Sequence, residues 1–310
     1  LHLLLSVKDE LNLTIKAINV EHGIRGESSL SDTEFCKRLC ENLGVPVKVY
    51  SVNAPEYAQK NRTSEETAAR ILRYECFDNA LIDGFCDEIA TAHHASDAFE
   101  TTLFNLFRGS SAKGVCGIGE RALNGKIIRP LLKTTKEEID TYAAKNKLEY
   151  VTDETNFSDE YSRNYLRNVV IPAIEERFPA AEKATLRFSK LLREEDEFLD
   201  RLAEKYVSEC RVLFCDDVLF RRACLIAMKD QGFTVDYESV HLDALCKLKD
   251  SQCGAVVCLK NGLKAHRTHS DVIFTRDSGE TLPEIPFALG TFAFGNFVLT
   301  VKKVDRYISG

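Results

Sequence analysis

Residues 91–101 read Thr-Ala-His-His-Ala-Ser-Asp-Ala-Phe-Glu-Thr, and this stretch decides the fold. The short run before it, residues 88–90, is typical of the end of a buried strand, and apolar residues recur after it at helical spacing as far as Phe107. Two histidines therefore lie at the carboxyl end of a predicted strand. Open α/β sheets bind ligands at this edge, so the stretch predicts a site as well as a fold.

Two carboxylates follow the histidines on the predicted helix. Asp97 and Glu100 lie three residues apart, so they share one face of its first turn. Negative charge is also favoured at a helix N-terminus because of the helix dipole. A plainer interpretation stays open on these residues alone: Asp97 only caps the helix, and His93 only packs against the sheet.

Strand-like and helix-like segments alternate from residue 14 to about residue 150. Strands are predicted at 14–20, 45–52, 88–92 and 126–128. Three further helices are predicted to begin at the capping patterns Ser31-x-x-Glu34, Thr63-x-x-Glu66 and Thr135-x-x-Glu138. This alternation is typical of an α/β fold with a doubly wound, mostly parallel sheet.

The pattern changes after residue 153. A helical segment at 161–178 is interrupted by Pro172, and long helices follow at 181–210, 220–230 and 237–247, before strands at 255–259, 272–275 and 297–301. We therefore expect a second, helical α+β domain after a boundary at Phe178-Pro179. More finely, the expected segments are a sheet domain at 1–178, a helical domain at 179–250 and a short β-rich end at 251–310.

Composition excludes several classes of protein. No apolar run approaches the roughly 20 residues that span a bilayer, and length alone fits two or three domains among the 310 residues. The eleven cysteines form no C-x-x-C pair, which indicates a reduced, cytoplasmic protein without a zinc ribbon or an iron–sulfur site.

Charge is unevenly distributed. The formal net charge of −7 argues against indiscriminate binding of nucleic acid. Two basic groups nevertheless flank the predicted site, and each is either a solvated surface or a contact for a phosphate-bearing partner. The first group is Arg108, Lys113, Arg121, Lys126, Arg129, Lys133 and Lys136, and the second is Arg163, Arg167, Arg177 and Lys183.

Three other segments could approach a phosphate. The loop at 22–26, His-Gly-Ile-Arg-Gly, follows the first strand, and its glycines allow close approach of a ligand. Arg70 and Arg73 share a helix face and could present two guanidiniums, and the loop at 108–114 is small and basic. An ordinary loop or a surface helix face would explain each segment equally well.

Taken together, six motifs closely resemble the tRNA(Ile)-lysidine synthase family of PP-loop ATP-pyrophosphatases. The resemblance covers residues 1–178 and continues more weakly through the helical segment after Ala181. The motifs occur in one order: VEHGIRG at 20–26, ARILRYECF at 69–77, TAHHxxDxxET at 91–101, RGSxxKG at 108–114, RPLL at 129–132 and RNxxR at 163–167.

The resemblance implies a ligase that uses ATP to activate C2 of the wobble cytidine (position 34) in the isoleucine tRNA with anticodon CAU. The ε-amine of free L-lysine then displaces AMP from the adenylated tRNA, giving lysidine. Magnesium is expected on the ATP phosphates, with no certain metal ligand in the chain. A homodimer is a further expectation, and the segment 251–310 would begin another tRNA-binding module.

The same resemblance assigns roles to individual residues. The catalytic residues would be Arg73, Asp97, Glu100 and Arg167, and lysine would be held by His93, Asp97 and Glu100. ATP would be bound by His22, Gly23, Arg25 and Arg73. The tRNA would be bound by Arg108, Lys113, Arg129, Arg163 and Asn164.

One departure from the family concerns the start of the chain. Family members carry a Ser-Gly-Gly-x-Asp-Ser loop just before the helix that begins here at Leu1, and that loop cradles the ATP phosphates. We expect the chain to lack this loop and the strand before it. We therefore expect it to bind ATP poorly and to show little or no adenylation.

Three other functions compete with this interpretation. A tRNA cytidine thiolase of the same fold would typically need C-x-x-C pairs. A non-catalytic tRNA-binding fragment would leave the retained histidine, carboxylates and arginines unexplained. A metal-dependent hydrolase using His93, His94 and Asp97 would need adjacent histidines to converge on one ion, which is rare at a strand end.

Overall fold

The computed structural model describes residues 1–24, 26–151, 162–233, 239–276, 289–294 and 297–303. The chain divides into two compact units, Leu1–Asp196 and Glu197–Gly310. The boundary predicted at residue 178 lies inside the first unit. The three predicted segments stay a prediction about domain organisation, since compactness alone does not define a domain.

Parallel strand pairs form the frame of the first unit. Strand β1 (Ala17–Glu21) pairs in parallel with β2 (Val47–Ser51). Strand β3 (Ile89–Ala90) pairs in parallel with β5 (Ile127–Ile128), and β4 (Arg121–Ala122) is antiparallel to β5. The predicted α/β fold with a mostly parallel sheet is confirmed.

One apolar cluster joins the two parallel pairs. Phe77, Ile89 and Ile127 are buried together, and Ile18 and Val20 of β1 pack against them. Apolar side chains from β1, β3 and β5 thus share one core, which fixes the carboxyl ends of these strands relative to one another.

Helices connect and follow the strands. In the first unit they are α1 (His2–Ser6), α2 (Glu27–Asn42), α3 (Ala54–Asn61), α4 (Glu65–Ile82), α5 (Ala95–Phe107), α6 (Ala112–Val115), α7 (Lys136–Lys145), α8 (Ser162–Tyr165) and α9 (Ile171–Arg177). A π-helical turn, Leu166–Val170, joins α8 to α9. The 28-residue helix α10 (Ala181–Ser208) begins in the first unit and ends in the second.

The three predicted helix starts have different outcomes. At α7 the prediction is confirmed, because Thr135 and Glu138 exchange hydrogen bonds between side chain and backbone. At α4 it is wrong by one residue, since Ser64 is the cap and its hydroxyl accepts from the amide of Thr67 at 3.2 Å. At α2 it is also wrong, because the helix begins directly after Gly26, whose φ of +54° already turns the chain.

The second unit packs helices on an antiparallel sheet. Its helices are α11 (Asp217–Asp230) and α12 (Ser239–Lys249), and its sheet has the order β6 (Val256–Cys258), β7 (Leu263–Arg267), β8 (Val272–Arg276). The core holds Phe220, Met228, Leu245, Leu248 and Phe274. Strands β9 (Gly290–Phe294) and β10 (Phe297–Val301) form an antiparallel pair. No helix among the described residues is long and apolar enough to cross a membrane.

Candidate active site

The loop after β1 is held against the end of β2. The amide of Val52 donates to the carbonyl of Glu21 at 2.8 Å, and the amide of Ala54 donates to the carbonyl of His22 at 2.9 Å. Gly23 has a φ of +71°, and a Cβ at this position would lie 3.2 Å from the carbonyl oxygen of Val52. The turn therefore requires glycine at this position, and the ATP contact predicted for Gly23 stays a prediction. Arg25, predicted beside it, lies outside the described residues.

His22 contacts the arginine helix α4. Its Nε2 lies 3.2 Å from Nη2 of Arg73, and its Nδ1 is buried without a hydrogen-bond partner among the described residues. Burial and then the charge of Arg73 lower the pKa of His22, against the opposing charge of Glu21. A neutral imidazole is the form that can accept a hydrogen bond from Arg73.

Two guanidiniums lie beside each other on α4. Desolvation and then the charge of Arg70 lower the pKa of Arg73, whose side chain is still accessible from one side. The guanidinium of Arg70 lies over the ring of Tyr74, 5.1 Å from its centroid. Because like charges are held close together here, an anion bound between them would be stabilised.

His93 is within electrostatic reach of this basic group and of Asp97 on α5. Its Nδ1 is 2.9 Å from Oγ1 of Thr91. Burial lowers the pKa of His93, followed by the charge of Arg129, while Asp97 opposes the shift. Arg70 and Arg73 lower the same pKa further. The imidazole of His93 is therefore subject to the charges of four side chains, which are Arg129, Asp97, Arg70 and Arg73.

Asp97 both caps α5 and faces an arginine. Its Oδ2 accepts from the backbone amide of His94 at 2.9 Å, and Nε2 of His94 lies 3.5 Å from the same oxygen. Its Oδ1 lies 4.0 Å from Nη2 of Arg167. The plainer interpretation of Asp97 as a cap is thus correct for one oxygen, and the other oxygen remains directed at a cation.

Glu100 is a buried carboxylate with two arginine neighbours. It is 3% exposed. Its Oε2 accepts from Nε of Arg167 at 2.8 Å and lies 2.7 Å from Nη2 of the same residue, while Oε1 is 3.8 Å from Nη1 of Arg163. Burial raises the pKa of Glu100, against the opposing charges of Arg167 and Arg163. Arg167 lies in the π-helical turn, a local distortion that is frequent at functional sites.

The residues predicted to bind tRNA have different environments. Arg108 and Lys113 are exposed, whereas Asn164 is half-buried. The guanidinium of Arg163 stacks on Phe104, 4.9 Å from the ring centroid.

The surroundings of Arg129 do not favour the predicted tRNA contact, because this residue is only 8% exposed. Its Nη1 donates to the carbonyl of Gly119 at 2.6 Å, and Nη2 donates to the hydroxyl of Tyr74 at 3.4 Å. A side chain turned inward in this way is poorly placed to contact an RNA backbone at the surface.

Two residues of the site, Thr91 and Tyr74, were not predicted from the sequence. Thr91 touches His93, and the sequence signal was available because the two residues alternate around Ala92 just after the strand. Tyr74, next to Arg73 on α4, joins the site through Arg129 and Arg70, and no spacing in the sequence indicates this. Among the described residues there is no group of three or more histidine, cysteine, aspartate and glutamate side chains that could hold a metal ion.

This chain is similar to several known proteins. Residues 1–174 match the PP-loop domain family. The tRNA(Ile)-lysidine synthase of Chlorobaculum tepidum is 38% identical over 275 residues, covering 83% of this chain and 81% of that protein. That of Thermosipho africanus is 38% identical over 216 residues (69% and 50%). That of Caldanaerobacter subterraneus is 29% identical over 337 residues (100% and 71%).

The chain thus spans between 50% and 81% of the length of these three relatives. Among solved structures it is similar to a U34-tRNA thiolase from Methanococcus maripaludis that carries a 4Fe–4S cluster. The TM-score is 0.51 and the identity 19%, over 62% of this chain and 68% of that one. This second similarity concerns the fold alone.

Proposed function

Because this chain belongs to the tRNA(Ile)-lysidine synthase family of PP-loop proteins, we propose that it carries the catalytic part of a ligase that forms a carbon–nitrogen bond on tRNA. The proposed reaction joins the ε-amine of L-lysine to C2 of cytidine 34 in the isoleucine tRNA with anticodon CAU. ATP supplies the adenylyl group that activates the C2 carbonyl oxygen, and AMP and pyrophosphate are released.

One observation supports this proposal above the others. A buried, arginine-paired carboxylate and a half-buried one lie on one turn of α5, and the imidazole of His93 senses both Asp97 and the basic face of α4. An amine substrate needs carboxylates, whereas a nucleotide needs cations. The site offers a carboxylate, Asp97, and several arginines within electrostatic reach of His93.

The lysine ammonium would be held by Asp97. Its Oδ2 is committed to the helix cap, so Oδ1 is the oxygen that would accept from the ammonium. Glu100 would act with it, and its strong pairing with Arg167 means that it also fixes where that guanidinium lies. His93 would accept the proton that the amine must lose before it attacks.

The nucleotide would lie on the side of His22 and α4. The environment fits a phosphate-bearing group, because Arg70 and Arg73 are adjacent cations, Gly23 permits close approach and Nδ1 of His22 is buried without a partner among the described residues. Magnesium would be bound through the phosphates themselves, which is usual for this ion. Arg167 would stabilise negative charge on the departing phosphate.

The tRNA would meet the exposed basic side chains. Arg108 directly follows α5 and Lys113 lies in α6, and both are accessible. Arg163 and Asn164 lie on α8, where Arg163 is 3.8 Å from Glu100. Contacts with phosphate give affinity and position rather than sequence discrimination. A cytoplasmic location and a homodimer remain part of the same proposal.

Lysine incorporation tests the reaction directly. The full-length protein, ATP and the CAU-anticodon isoleucine tRNA are incubated with radiolabelled lysine, and label in the tRNA is counted. We expect incorporation, its loss in Asp97→Ala, and none with a tRNA whose wobble cytidine is replaced by uridine. Binding of tRNA without incorporation would instead favour a non-catalytic tRNA-binding protein, and a thiolated nucleoside would favour a thiolase.

A further inference from the structure

Arg129 is the buried cation of the site. It directly follows β5, its backbone amide donates to the carbonyl of Glu120 at 2.9 Å, and its guanidinium is held by the carbonyl of Gly119 and the hydroxyl of Tyr74. Its Nε is buried without a hydrogen-bond partner among the described residues. Protein groups rather than solvent therefore surround this cation.

The strand pairing brings this charge next to the loop of His93. Ala90 and Ile128 are register partners in the parallel pair β3–β5, and the amide of Thr91 donates to the carbonyl of Ile128 at 3.0 Å. The chain therefore leaves the sheet at Arg129, beside Thr91. The hydroxyl of Thr91 contacts Nδ1 of His93.

We propose that Arg129 is a positioning residue for His93, whose imidazole it keeps in the neutral form that accepts a proton from the substrate amine. This rests on the proposed function. With the proton on Nδ1 directed at Thr91, the Nε2 lone pair takes the proton from the ammonium, and imidazolium is the product of that step. Arg129 disfavours imidazolium before the amine arrives, so His93 enters the reaction unprotonated.

Four charged groups act on His93, and Arg129 differs from the other three. Asp97 favours imidazolium, while Arg129, Arg70 and Arg73 disfavour it. Arg70 and Arg73 are accessible to solvent, so salt screens them, and nucleotide phosphates would offset them. Arg129 is shielded from both, because protein groups enclose its guanidinium. Its effect on the histidine therefore persists at physiological salt and with nucleotide bound.

The decisive measurement is the pKa of His93, read by NMR from protein labelled at histidine, with His93→Gln used for assignment. In Arg129→Gln we expect this pKa to rise by about half a pH unit or more, and in Arg129→Lys to stay close to its original value. Arg38→Gln removes an equal charge from an exposed position on α2 and should leave it unchanged. His266, in the second unit, serves as a spectator.

An unchanged His93 pKa in folded Arg129→Gln would overturn the proposal. Should that variant fail to fold, Arg129→Met removes the same charge without burying an amide and gives the same reading. A His93 pKa that keeps its original value in a folded variant without this charge rejects Arg129, since burial alone then explains the shift. A pKa that rises there, and not in Arg38→Gln, supports the buried cation. These readings need no tRNA and no turnover, so they are distinct from a failure of the lysidine assay.

Discussion

Arg167 places both Nε and Nη2 on a single oxygen of Glu100, at 2.8 Å and 2.7 Å. The other carboxylate oxygen is left to Arg163 at 3.8 Å. This arrangement fixes the guanidinium of Arg167 against α5, where it also faces Asp97. Glu100 therefore has two possible tasks, which are to hold substrate and to hold the arginine.

Glu100→Gln tests whether the charge of Glu100 is needed for either task. The amide keeps the shape but loses the charge, so we expect lysine ligation by the full-length protein to fall about 10²- to 10³-fold, because Arg167 is released. The free energy of unfolding should fall by no more than about 1–2 kcal/mol, below the range for fully buried pairs, since water still reaches Arg167. Urea unfolding and initial rates measure the two effects.

Glu66→Gln is the matched control for that variant. Glu66 also lies near Arg163, at 3.9 Å, but it is exposed. Both ligation and stability should stay near those of the unaltered protein. Equal rate losses in the two variants would show that the charge of Glu100 has no special role.

Asp97→Asn separates charge from capping. The amide oxygen can still accept from the backbone of His94, so stability should change by less than about 1 kcal/mol, whereas Asp97→Ala removes the cap and should cost about that much. Lysine binding should weaken about 10- to 100-fold in both variants. Isothermal calorimetry with lysine gives the affinity. Lysine binding retained in Asp97→Asn would reject the lysine pocket at this residue.

Local sequence signals predicted much of this protein, and tertiary contacts explain the remainder. The strands β1 and β2 and the cap at Thr135 follow from patterns within a few residues. By contrast, Arg167 pairs with Glu100 across 67 positions, and only the fold brings them together. Strand β7 was missed because its buried face offers only Leu263 and the small Ala265.

Arg129 shows the limit of reading charge from sequence. It occurs in a basic run, which favoured an exposed RNA contact. Its burial depends on a carbonyl of Gly119 and a phenol on α4, and neither partner is indicated by the basic run itself. The other basic residues of that run that were predicted to bind tRNA, Arg108 and Lys113, are exposed as expected.

The lowered pKa of His22 predicts how stability depends on pH. The folded state holds His22 below its ordinary value of 6.5, so the unfolded chain binds more protons between the two values. The free energy of unfolding should therefore decrease as the pH falls from 6.5 toward the lower folded pKa. His22→Asn should make this dependence shallower, as measured by urea midpoints at several pH values. The same substitution at the exposed His269 is the control, and an equal flattening there would contradict the explanation.

The turn at Gly117 should tolerate no side chain. Its φ is +61°, and a Cβ there would lie 2.7 Å from Oγ1 of Thr102, which is buried against Ser189. Gly44 has a similar φ of +64° but open space around it. Gly44→Ala should cost about 1–2 kcal/mol from backbone strain alone, and Gly117→Ala about 1–3 kcal/mol more, because Thr102 must move. Equal losses in urea unfolding would show that the contact with Thr102 is unimportant.

The exposed cations after α5 should make tRNA binding depend on the salt concentration. Arg108→Gln and Lys113→Gln each remove an exposed cation, so each should weaken tRNA binding several-fold and reduce the slope of log affinity against log salt by about one. Arg129→Gln should leave that slope unchanged, because the buried guanidinium meets no phosphate. Filter binding at several salt concentrations measures all three. A reduced slope for Arg129→Gln alone would mean that RNA reaches the buried arginine and that the exposed cations after α5 do not bind it.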